Sequence, residues 1–240
     1  MPNPEKRIDF SFYSLLAGMI LLMGILPVLL PAAGEKISLT LRLLLGAYPL
    51  QIFYIFIALY GAKKFSPETP VLQTLDLKMP EKKFLMQTII ITPVLYLLLA
   101  WVTAIFVFLL KKTGFATAPQ DAVLLIKNSS PETLPVLIGA ALLAAPLGEE
   151  LAFRHIIHRK FCSIFPENTA TVLTAFFFAA VHLNLQSFPA LFLLGIYLSY
   201  LRSKSSSLWT SISAHALFNA VTVTVLLLMR WGVLTLPAGN

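Results

Sequence analysis

Apolar residues run along this chain in long blocks, separated by short clusters of polar and basic residues. Seven blocks reach or approach the about 20 residues that carry a helix across a bilayer. They are 12–30, 41–60, 84–110, 134–165, 169–183, 188–201 and 208–229. Pro49 falls inside the second block, and Pro93 predicts a kink in the third. The fourth meets Pro146 and then runs through Glu149 and Glu150, and the fifth is short for a crossing. The pattern predicts an all-α, polytopic transmembrane bundle of about seven to eight helices. The eighth would be a short or re-entrant piece in the loop 111–133.

Composition supports this reading. Of 240 residues, 58% are hydrophobic and 12% charged, against about 45–50% and 25% in a soluble domain. The net charge of +7 raises the question of nucleic acid. The basic residues lie in short runs between apolar blocks, however, so the expected partner is the lipid bilayer and not nucleic acid. One side of the membrane would receive Lys6, Arg7, Lys63, Lys64, Lys78, Lys82, Lys83, Arg159, Lys160, Arg202 and Lys204. The other would receive Lys36, Arg42, Lys111, Lys112, Lys127 and Arg230. The imbalance places the N-terminus in the cytoplasm, and the short loops suggest a bacterial inner membrane. Lys6 and Arg7 before the first block, and Pro31-Ala32-Ala33-Gly34 after it, outline a signal peptide. The block is about 19 residues long, beyond the about 7–15 of such a region, and reads as an uncleaved helix. The loop 61–83 reads as basic and lipid-facing. Cys162 is the single cysteine, which excludes an internal disulfide.

Residues 1–133 carry apolar helices without a motif; the candidate chemistry concentrates in 134–230 of the same membrane domain. In Ala145-Pro146-Leu147-Gly148-Glu149-Glu150-Leu151-Ala152-Phe153-Arg154, three ionisable groups fall within six positions. Each costs about 2.5–3.5 kcal/mol at the centre of a membrane helix on insertion scales. Glu150 and Arg154 are four apart and share a helix face, so they can pair. Glu149 is turned by about 100° from Glu150, towards the side of Phe153. One carboxylate thus has a partner within its own helix, and the other is available as a general base. Taken alone, the stretch has a second reading, an ion pair that holds helices together. His182 lies one turn after Phe178, and Asn219 one turn after His215. A single membrane histidine is often an interhelical hydrogen bond. Three helices that each bring a polar cluster are what line a polar cavity within the membrane.

Glu-Glu-x-x-x-Arg (149–154), Phe-x-x-x-His (178–182) and His-x-x-x-Asn (215–219), in this order, resemble the CAAX prenyl endopeptidase and bacteriocin-processing family, also called the Abi family. The resemblance covers about 134–225. It departs from the family at His155, where a glycine often follows the motif arginine. It implies an intramembrane endopeptidase that cuts membrane-associated peptides or protein C-terminal tails with a glutamate-activated water and no cofactor. Glu149 would be the base, His182 would orient the water, and His215 and Asn219 would stabilise the oxyanion. Glu150, Arg154 and Phe178 would shape the site or orient substrate. A zinc enzyme with Glu149, His182 and His215 as ligands is the alternative chemistry, and a non-catalytic self-immunity or transport protein the alternative function. The chain has neither Gly-x-Ser-x-Gly nor His-Glu-x-x-His. A Cys162–His158 dyad is conceivable, at the basic end of the fourth block.

Overall fold

The computed structural model describes residues 4–32 and 39–234, with side chains described for 8–23, 48–120 and 123–234. Ala33, Gly34 and Lys36 lie outside the described residues. Every regular element among the described residues is a helix. In chain order these are α1 (Pro4–Ala32), α2 (Leu39–Phe65), α3 (Val71–Thr74), α4 (Lys82–Lys112) and α5 (Asp121–Asn128). The continuous α6 (Leu134–Cys162) follows, then α7 (Glu167–Ala180), α8 (Phe188–Ser205) and α9 (Leu208–Arg230). Among the described residues, α4, α6 and α9 are long and apolar enough to cross a bilayer by themselves.

α6 is the axis of the bundle. It packs against α1, α2, α7 and α9, while α4 packs on α8 and α9. It is not a uniform α-helix: Ala140–Ala144 and Leu151–Ile157 are wound as π-helix. Pro146 accounts for the first stretch, because its ring crowds the carbonyl four residues back and it supplies no N–H. The wider π turn absorbs the mismatch without breaking the helix. The two glutamates sit on the short α-helical piece between the π stretches.

α7 has 14 residues, about 21 Å of helix, and so falls short of a bilayer core of about 30 Å. Its C-terminal end is satisfied by a side chain just beyond it. His182 Nδ1 donates to the carbonyl of Phe178 at 2.7 Å, closing one of the orphan acceptors of the last turn. Leu183 then takes φ +50° and the chain turns away.

In lipid, helices associate through close packing and polar contacts more than through burial of apolar area. Gly195 of α8 lies against Ala175 of α7, where an added Cβ would come within 2.9 Å of the Ala175 Cα. Gly148 of α6 lies against Gln51 of α2 in the same way.

The segment after α3 clasps the neighbouring ends of three helices. Asp76, at φ +57°, pairs with Arg159 of α6 at 2.7 Å and Arg202 of α8 at 2.6 Å. His155 Nδ1 stands 3.7 Å from the same carboxylate oxygen. The Asp76 carbonyl accepts from Leu208 N at 2.8 Å, and the Leu77 carbonyl from Trp209 Nε1 at 3.1 Å, at the start of α9. Burial alone would raise the Asp76 carboxyl. The His155 contact and the two guanidinium charges outweigh it and hold the group well below the usual carboxylate range. This part of the 61–83 loop is therefore docked on protein, not laid on lipid. At the other end of α9, Arg230 donates to the carbonyls of Ile126 and Ser129 and ties down α5.

Candidate active site

The two adjacent glutamates are in different surroundings. Glu150 is completely buried; its Oε1 accepts from Arg154 at 3.0 Å and from His215 Nδ1 at 3.0 Å. Arg154 is also fully buried, and its second terminal nitrogen donates to the Gly195 carbonyl at 3.2 Å. An unpaired buried charge would be costly, so the pair and its added hydrogen bonds stand or fall together. Glu149 keeps 13% of its side chain exposed. Its Oε1 accepts from Gln51 Nε2 at 3.2 Å, and its Oε2 faces His215 Nε2 at 3.8 Å, beyond hydrogen-bond distance.

Phe178 organises the groups around it. Its fully buried ring meets those of His182, Phe153 and His215 edge to face at centroid distances of 4.9, 5.2 and 5.8 Å. The Arg154 guanidinium lies 4.5 Å from its centroid, a cation–π contact. A carbonyl only accepts, so the bond to Phe178 O puts the His182 proton on Nδ1 and leaves Nε2 as an acceptor. His215 is oriented by the converse logic: Nδ1 donates to Glu150, and Nε2 points towards Glu149.

Glu149 and His182 line one cavity of about 160 Å³, with Met23, Leu50, Gln51, Tyr54, Phe153 and Val181. The walls are apolar apart from Gln51, Tyr54, Glu149 and His182, the kind of setting in which a few polar groups orient a ligand. A partly exposed carboxylate, an acceptor imidazole and a second imidazole behind them form an arrangement suited to activating water. The model of a family described as "Rce1-like: type II CAAX prenyl endopeptidase Rce1-like" matches residues 131–221. Residues 131–221 are thus similar to the Rce1-like family. No curated protein and no solved structure gives a significant match.

The Rce1-like segment holds Glu149, Glu150, Arg154, Phe178, His182, His215 and Asn219. Asn219 stands apart from the cavity. Its amide donates to the carbonyl of Ala141 at 2.8 Å, fastening α9 to the first π stretch of α6. Gln51 and Tyr54 come from α2, outside the segment, and were not singled out from the sequence. The available signal was an uncharged polar residue, Gln51, inside an otherwise apolar block. His155, at the position where glycine is usual, is 6% exposed and belongs to the Asp76 cluster. His158 is bound to Thr171 at 3.2 Å, and Cys162 lies 3.7 Å from its Nδ1, on the stretch that carries Arg159 and Lys160. Among the described residues, no three His, Cys, Asp or Glu side chains are grouped tightly enough to hold a metal ion.

Proposed function

We propose that the chain is an intramembrane endopeptidase in which Glu149 activates water for hydrolysis of a peptide bond. The carrying observation is the Glu149 carboxylate, which reaches a cavity shared with His182 while its neighbour Glu150 is consumed by Arg154 and His215. The Rce1-like match supports a CAAX-type substrate, a peptide or protein C-terminal tail held at the membrane. The apolar cavity wall suits such a tail.

In this reading His182 Nε2 accepts a hydrogen bond from the attacking water and aims it. Glu149 takes the water proton as the oxygen attacks the carbonyl carbon. The carbonyl oxygen becomes an oxyanion, and Glu149 returns the proton to the amide nitrogen as the C–N bond breaks. The products are a new carboxylate and a free amine. His215 bears on the oxyanion from behind Glu149. Its Nδ1 donates to Glu150, and Nε2 is the ring nitrogen turned towards Glu149 and the reacting oxygen. Asn219 supports the site from outside the cavity, by holding α9 to the Ala141 carbonyl of α6. We further propose that the N-terminus is cytoplasmic, which puts the Asp76 cluster on the inner side.

The test compares membrane and secreted proteomes of cells that carry the wild-type chain or Glu149→Gln. The reading predicts C-terminal fragments that vanish with Glu149→Gln, His182→Ala and His215→Ala while each protein still inserts. A phenotype of the chain that survives Glu149→Gln would favour the non-catalytic alternative.

A further inference from the structure

Gln51 is 8% exposed, in a helix that the Rce1-like segment does not include. Its Nε2 donates to Glu149 Oε1. Its own Oε1 is buried with no hydrogen-bond partner among the described residues, seated on Gly148. An added Cβ on Gly148 would collide with that oxygen and come within 3.1 Å of the Gln51 Cα and carbonyl. A leucine would fill the same space without a desolvated amide. What the glutamine adds is one N–H, aimed at one oxygen of Glu149.

We propose that Gln51 is a positioning residue for Glu149, and that Gly148 exists to let it in. The amide ties Oε1 and fixes the rotation of the carboxylate. Oε2, buried and without a hydrogen-bond partner among the described residues, is thereby held on the side of His215 Nε2. The direction of the base is thus set from α2, which the family motifs do not cover. The inference rests on the assignment of Glu149 as the base.

The experiment uses the full chain purified in detergent, with a farnesylated peptide ending in a CAAX box as the probe. Gln51→Met keeps the length and removes the donor. Displacing a reacting group by about 1 Å can cost about 100-fold, so kcat is expected to fall about 10–100-fold with KM within about twofold of wild type. Gly148→Ala pushes the amide away and is expected to lower kcat similarly. The double variant is expected to be no worse than the weaker single one, since both remove the same contact. Wild-type kcat in Gln51→Met, alongside an inactive Glu149→Gln, overturns the role of Gln51 and leaves the base in place. Multiplying defects in the double variant overturn the shared contact. Cleavage that persists in Glu149→Gln overturns the base, and the inference with it.

Discussion

At the scale of single residues, two neighbouring carboxylates differ because one is neutralised and the other is not. Glu150 is enclosed by Arg154 and His215. Removing one partner of a fully buried pair costs about 3–5 kcal/mol. Arg154→Met is therefore expected to destabilise the protein by about that much, read as a lower melting temperature in detergent. Unchanged melting would contradict a structural role for the pair. If His182 and His215 aim water and stabilise an oxyanion without a metal, 1,10-phenanthroline leaves the cleavage rate unchanged. Loss of rate with the chelator and its return with zinc would favour the alternative in which Glu149, His182 and His215 are ligands. The Glu150–Arg154 pairing was legible because four positions along a helix is a short-range relation. Gln51 was not, because its partner is 98 positions away, and nothing in an apolar block says which neighbour a lone amide will meet.

At the scale of elements, α6 and α7 carry the site through their irregularities. Pro146 announces a disturbance in α6, but not that the helix accommodates it by π winding on both sides of the glutamates. α7 was read as a short crossing; it has 14 residues, and His182 just beyond it satisfies a carbonyl of the last turn. A residue read for chemistry therefore also caps its helix. Asp76 is the element-scale feature that sequence patterning hides, since a lone acid in a basic loop carries no periodic signal. Asp76→Asn is expected to lower stability by about 1–2 kcal/mol at pH 7, after discounting for the partial solvent exposure of the cluster. Its folded carboxyl is held below the ordinary value, so the contribution is complete above the unfolded value of about 3.9. It declines as pH falls below that value towards the lower folded one. Melting curves of wild type and Asp76→Asn should thus stay apart from pH 8 down to about pH 5 and converge only in stronger acid. A gap that closes between pH 6 and 7 would point to His155 as the controlling group instead.

At the scale of the whole molecule, the N-terminal and C-terminal halves form one machine. The Rce1-like segment supplies the ionisable groups, yet α2 lines the cavity with Leu50, Gln51 and Tyr54, and the segment after α3 binds the neighbouring ends of α6, α8 and α9. The helical membrane character was readable from block lengths alone. The partition of the site between the halves was not, because it depends on which helices become neighbours. Orientation has a built-in reporter. Cys162 is the only cysteine and is exposed, next to the basic residues assigned to the cytoplasm. A membrane-impermeant maleimide is expected to label it in inside-out vesicles and not in intact cells; labelling of intact cells would invert the topology.

The central claim concerns one carboxylate, and hydrolysis in H₂¹⁸O measures it most directly. Purified wild-type protein incubated with a farnesylated CAAX peptide should place one ¹⁸O in the new C-terminal carboxylate, read by mass spectrometry. Glu149→Gln, which keeps shape and removes the base, should release no labelled product above background. Labelled product at the wild-type rate from Glu149→Gln would contradict the account.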